Sequence, residues 1–130
     1  MPKKILVVDD SSSVRRQVQL ALVEAGFEVL EASDGCEGAE IIARNSDLAL
    51  VICDVNMPRL GGLEMLELVK QDPVNAALPV IMLTTEGRPA LIQRAKRAGA
   101  RGWVIKPFKS HLLVAAVQKL TEGKPGQGPP

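Results

Sequence analysis

Five short apolar runs punctuate the chain: ILVV at 5–8, FEVLEA at 27–32, LALVIC at 48–53, PVIMLT at 79–84 and GWVIK at 102–106. Most are near-continuous rather than alternating, the pattern of strands covered on both faces, as in a parallel sheet. Between them the apolar spacing turns helical. Val14, Val18, Ala21, Leu22 and Ala25 form a stripe that follows the capping serines Ser11–Ser13 and stops at Gly26. Ala39, Ile42 and Ala43 mark a second helix, and Leu63, Leu66 and Val69 a third, with Pro73 beyond its end. Pro89 suits the first turn of a fourth, which carries Leu91, Ile92, Ala95 and Ala98 and ends at Gly99. Ser110 is expected to cap a fifth, with Leu112, Leu113, Ala116, Val117 and Leu120 facing inward. Strands alternating with helices predict an α/β fold with right-handed crossovers and a doubly wound parallel sheet. One domain over 1–122 accounts for these elements, and the Gly/Pro-rich tail GKPGQGPP at 123–130 is expected to be disordered.

In such sheets ligands gather at the carboxyl ends of the strands. Those ends carry Asp9 and Asp10 after the first run, Asp54 after the third, Thr84 and Thr85 after the fourth and Lys106 after the fifth. Each alone is an ordinary loop-start residue; gathered on one edge they are not. Carboxylates a few ångströms apart repel by about 4 kcal/mol per pair at an effective dielectric of about 20. A cation offsets that penalty, and an oxygen-only donor set favours Mg2+. Nothing in the Cys/His spacing suggests zinc.

Charge and composition remove other classes. Sixteen Lys/Arg against fifteen Asp/Glu leave a net charge of +1, so no bulk electrostatics point to nucleic acid. Trp103, Phe27 and Phe108 are the only Phe, Trp or Tyr residues, too few for a base-stacking platform. No apolar stretch approaches the roughly 20 residues of a membrane span, and there is no signal-peptide core. Cys36 and Cys53 are expected to be reduced, and the location cytoplasmic. Cys53 precedes Asp54 on an alternating strand, points to the other face and reads as core packing. His111 reads as a surface residue.

VVDD, ICDVNMPRLGG, MLTT and GWVIKPF, in that order and spacing, resemble the receiver domain of two-component response regulators, especially the small chemotaxis-type ones. The resemblance covers about residues 3–121. It implies a flavodoxin-like five-stranded sheet of order 2-1-3-4-5 with five helices. It makes Asp54 the phosphoacceptor, Asp10 a direct Mg2+ ligand, Asp9 a ligand acting through water, and Asn56 the position whose backbone carbonyl binds the metal. Thr84 and Lys106 are implied to hold the phosphoryl group, and the Lys106–Pro107 bond to be cis. Thr84 and Trp103 together make the implied switch. The partners implied are a sensor histidine kinase as phosphodonor and a separate target, either a motility or chemotaxis protein or a histidine phosphotransfer protein. No direct nucleic acid and no membrane insertion are expected.

The chain departs from the family pattern at Trp103, where Tyr or Phe is commoner, at Thr85, where Ala or Gly is preferred, and at Gly61, where Asp is common. Asn56 and Glu86 match variable positions that tune acyl-phosphate lifetime. Arg94, Lys96, Arg97 and Arg101 form a basic cluster on and after the fourth helix. It is either a solvated face or, with Trp103, part of an output face made by the fourth helix, fifth strand and fifth helix. Other functions fit less well. An Asp-based phosphohydrolase wants a second acid two residues after its nucleophile, where this chain has Asn56. Flavin or dinucleotide binding wants glycines where the first loop reads DDSSS. A degenerate receiver, binding partners without phosphorylation, would be expected to lack an acceptor-site residue, and none is missing.

Overall fold

A computed structural model describes residues 2–122; the tail at 123–130, expected to be disordered, lies outside the described residues. Five strands alternate with five helices: β1 Lys4–Val8, α1 Ser12–Glu24, β2 Glu28–Ala32, α2 Gly35–Arg44, β3 Leu48–Cys53, α3 Gly62–Lys70, β4 Val80–Thr84, α4 Pro89–Ala98, β5 Gly102–Ile105 and α5 Ser110–Thr121. A short 3-10 turn at Pro73–Asn75 links α3 to β4, so the proline past α3 opens a turn. All pairings are parallel and the strand order is β2-β1-β3-β4-β5. This is the doubly wound parallel sheet the apolar pattern predicts, in the 2-1-3-4-5 order the family resemblance implies.

The side-chain period of two splits each central strand between two cores. Leu6, Val8, Val51, Cys53, Val80 and Met82 pack under α2, α3 and α4. Ile5, Val7, Leu50, Ile52, Ile81 and Leu83 pack under α1 and α5, against Val18, Leu22, Leu113 and Val117. The near-continuous apolar runs of β1, β3 and β4 are thus buried on both faces. The edge strands β2 and β5 are only partly covered, because each has a neighbour on one side alone.

Local chemistry sets the helix limits. Ser11 caps α1 by accepting the Val14 N–H, and the chain leaves that helix through Gly26 at φ 96°. Pro89 starts α4 and Gly99, at φ 107°, ends it. At α5 the sequence reading shifts by one residue: Lys109 holds the cap position and Ser110 is the first helical residue. Leu112 is 58 % exposed rather than inward, since its neighbour Leu113 already faces the core and adjacent helical positions diverge by about 100°. Both cysteines are free, Cys36 half-buried and Cys53 buried. No helix among the described residues is long and apolar enough to cross a membrane.

Candidate functional site

Parallel pairing puts the ends of β1, β3, β4 and β5 along one edge of the sheet, and the polar residues at those ends share that edge. Carboxylate oxygens of Asp9, Asp10 and Asp54 all lie within 4.8 Å of one another. Asp9 and Asp54 are buried, at 1 % and 7 % exposure, whereas Asp10 is exposed. Each buried acid is held by a main-chain donor: Ser11 N–H to Asp9 Oδ1 at 2.9 Å and Val55 N–H to Asp54 Oδ1 at 2.7 Å.

Lys106 enters this cluster from the end of β5. Its Nζ donates to Asp9 Oδ2 at 2.8 Å and to Asp54 Oδ2 at 3.1 Å. The bond between Lys106 and Pro107 is cis. The offsetting cation inferred from sequence is therefore supplied in part by the chain itself. Burial pushes the Asp9 carboxyl above its usual range, and the bonds from Lys106 and Ser11 only partly reverse that. Burial alone pulls the Lys106 ammonium down; its hydrogen bonds to Asp9 and Asp54 outweigh that, and its pKa rises. We take the pair as ionised, since each charge has its partner within hydrogen-bond reach.

Thr84, the last residue of β4, is fully buried, and its Oγ1 accepts the Glu86 N–H at 3.2 Å. Trp103 on β5 is half-buried, and its indole N–H donates to the Glu86 carbonyl at 2.8 Å. The main chain of Glu86 therefore joins the hydroxyl to the aromatic ring. Asn56 is exposed and shares with Asp10, Met57, Pro58, Gly61 and Glu64 a shallow recess of about 420 Å³ beside the acids. An all-oxygen donor set next to a recess with room for water suits a hard cation that keeps part of its hydration.

Two contributors were not singled out in the sequence. A Cβ on Gly62 would sit 1.8 Å from the Asp54 carbonyl oxygen, so only glycine lets α3 start directly behind the loop that follows Asp54. The second is Arg15, whose Nη1 donates to the Asp9 carbonyl at 2.6 Å. The neighbouring G-G pair hinted at the first; nothing local signals the second, because its contact arises only when α1 folds back. The basic cluster is not uniform. Arg97 is exposed, but Arg94 is bound to α3, with Nε and Nη2 on the Glu67 carboxylate at 2.9 and 2.7 Å and Nη2 on Glu64 at 3.2 Å. His111 is exposed and Cys53 lies in the core, as expected.

Residues 5–118 match the family model described as response regulator receiver domain. Chemotaxis protein CheY1 of Helicobacter pylori is 41% identical over 111 residues, covering 85% of this chain and 90% of that protein. The chemotaxis protein CheY homolog of Campylobacter jejuni is 36% identical over 126 residues, covering 96% and 97%. Among solved structures, chemotaxis protein CheY4 of Vibrio cholerae aligns with a TM-score of 0.86 at 38% identity, covering 92% of this chain and 99% of that one.

Proposed function

The chain belongs to the response regulator receiver family as a CheY-like domain, and from that premise we propose that Asp54 accepts a phosphoryl group from a histidine kinase. Members of this family are signalling proteins, and the curated relatives above are chemotaxis proteins. One observation carries the reading: three carboxylates from two strand ends converge on one another, with Lys106 bonded to the acceptor oxygen itself.

Asp54 Oδ2 attacks the phosphorus of a phosphohistidine, the P–N bond breaks, the imidazole leaves and an acyl phosphate forms. Asp10, Asp54 and the Asn56 carbonyl would hold Mg2+ directly, and Asp9 through water. The ion, when bound, neutralises charge on the phosphoryl oxygens. Lys106 shifts from the Asp54 carboxylate to a phosphoryl oxygen, keeping its second bond to Asp9. Thr84 turns its hydroxyl from the Glu86 amide to the phosphoryl group, and the Glu86 main chain carries that change to Trp103.

The energetic requirement is demanding. Moving a switch from 1:99 to 99:1 takes about 5.5 kcal/mol of differential binding. Hydrogen bonds to charged groups contribute about 1.5–3 kcal/mol each, against about 1 for neutral ones. Lys106 exchanges one charged partner for another, so the net gain comes from the newly charged Thr84 bond and the extra phosphoryl charge; a neutral hydrogen bond alone falls well short. The output is binding of a separate target protein at the face formed by α4, β5 and α5, with Arg97 and Trp103 presented there. Arg94 serves that face from the side, by holding α4 to α3.

The test is a titration with beryllofluoride, a phosphoryl mimic, in the presence of Mg2+. Trp103 emission should change saturably in the wild type and stay flat in Asp54→Ala; an equal response in both variants would reject Asp54 as the trigger.

A further inference from the structure

We propose that Arg15 is a positioning residue for the acidic turn: from α1 it fixes the Asp9–Asp10 peptide and so sets the aim of the exposed carboxylate of Asp10. The proposal rests on reading Asp9 and Asp10 as the metal-binding turn.

The β1 ladder ends at Val8, and the next two residues are the ones that must be placed accurately. Asp9 retains one sheet-like bond, its N–H donating to the carbonyl of Ala32 at the end of β2 at 3.0 Å. Its own carbonyl has passed the end of the ladder and accepts instead from Arg15 Nη1 at 2.6 Å. Arg15 is in turn held from behind, its Nε donating to Glu31 Oε1 on β2 at 3.1 Å, and its side chain is only 18 % exposed. Asp9 is thus held at its N–H by Ala32 of β2 and at its carbonyl by Arg15 of α1, which is itself tied to Glu31 of β2. That carbonyl belongs to the planar Asp9–Asp10 peptide unit, so fixing the oxygen fixes where the Asp10 Cα begins. Asp10 is otherwise exposed. The guanidinium fork suits this task because its donors are rigidly spaced, so one side chain can bond carbonyl and carboxylate at once.

Charge alone predicts the opposite behaviour. A cation beside an acidic cluster opposes binding of another cation, so removing it should tighten Mg2+ binding. Positioning predicts weakening. Partners that orient metal ligands typically matter by tenfold or more when removed, so Arg15→Gln should bind Mg2+ about tenfold more weakly. Arg15→Lys, which keeps the charge and loses the fork, should weaken it in the same direction. Arg16→Gln removes an equal charge from the exposed neighbouring position and should not weaken binding.

The experiment is calorimetric titration with Mg2+ alone, with thermal melts in its absence to check folding. Weaker binding in both Arg15 variants, with Arg16→Gln at or tighter than wild type, supports the proposal. Wild-type binding with Arg15→Gln equal or tighter overturns it while leaving the acidic site intact. No Mg2+ binding by the wild type overturns the functional reading and this proposal together. Should Arg15→Gln melt too early to titrate, Arg15→Lys and Glu31→Gln decide: binding at wild-type strength in both overturns the proposal.

Discussion

Trp103 donates its indole N–H to the main-chain carbonyl of Glu86, and the amide of the same Glu86 donates to the Thr84 hydroxyl. Two side chains on adjacent strands are thereby coupled through a single residue of the β4–α4 loop. Thr84→Val keeps the buried volume and removes the hydroxyl. We expect this variant to take up beryllofluoride with Mg2+ but to show at most a small fraction of the wild-type change in Trp103 emission. A full emission change would mean that the signal reaches the indole by another route.

Gly62 allows α3 to begin against the loop that follows Asp54, and an added methyl would overlap the Asp54 carbonyl oxygen. Gly62→Ala should lower the urea midpoint by the equivalent of about 1–3 kcal/mol, the usual cost of overpacking, and should slow phosphorylation of Asp54. Gly87→Ala is the control, because its Cβ would meet only Ile105 Cδ1 at 3.5 Å, an ordinary contact. It should stay within about 0.5 kcal/mol of wild type.

Arg94 clamps α4 to α3 through Glu67 and Glu64. Hydrogen bonds from Arg94 hold the Glu67 carboxyl below its ordinary value of 4.5. A depressed carboxylate adds stability above its unfolded pKa and loses it as pH falls through the folded one. The melting-temperature difference between wild type and Arg94→Ala should therefore be largest near neutrality, shrink below pH 4.5, and shrink in high salt. A difference unchanged from pH 7 to pH 3 would show that the clamp acts through packing alone.

Cys53 sits in the core under α3, and burial pushes its thiol far above the ordinary range. Ellman's reagent should label Cys36 in the native protein and reach Cys53 only on unfolding, giving one native thiol and two in denaturant. Two labelled thiols under native conditions would contradict the packing of β3.

The sheet was legible because its central strands bury both faces and so show as unbroken apolar runs, as in LALVIC at β3. The acidic cluster was legible for a related reason: in a parallel sheet every strand end falls on one edge, so Asp9, Asp54 and Lys106, which meet there, could be grouped from the strand pattern alone. Contacts that need a helix to fold back over a strand left no local trace. Arg15 reaching the Asp9 carbonyl is of this kind, and Arg94 reaching Glu67 needs two helices packed side by side; the two pairs are separated by 6 and 27 residues. The misplaced Leu112 has the same origin. Two adjacent leucines cannot both face one core, and only the position of α5 over the sheet decides which one does.

Acyl phosphate formation at Asp54 is tested by intact mass after incubation with a phosphoramidate donor and Mg2+, followed by borohydride reduction and peptide mapping. The expected result is a gain of one phosphoryl group that requires Mg2+, with the reduced residue at position 54 and no gain in Asp54→Ala. A gain that persists in Asp54→Ala, or no gain in the wild type, would contradict it.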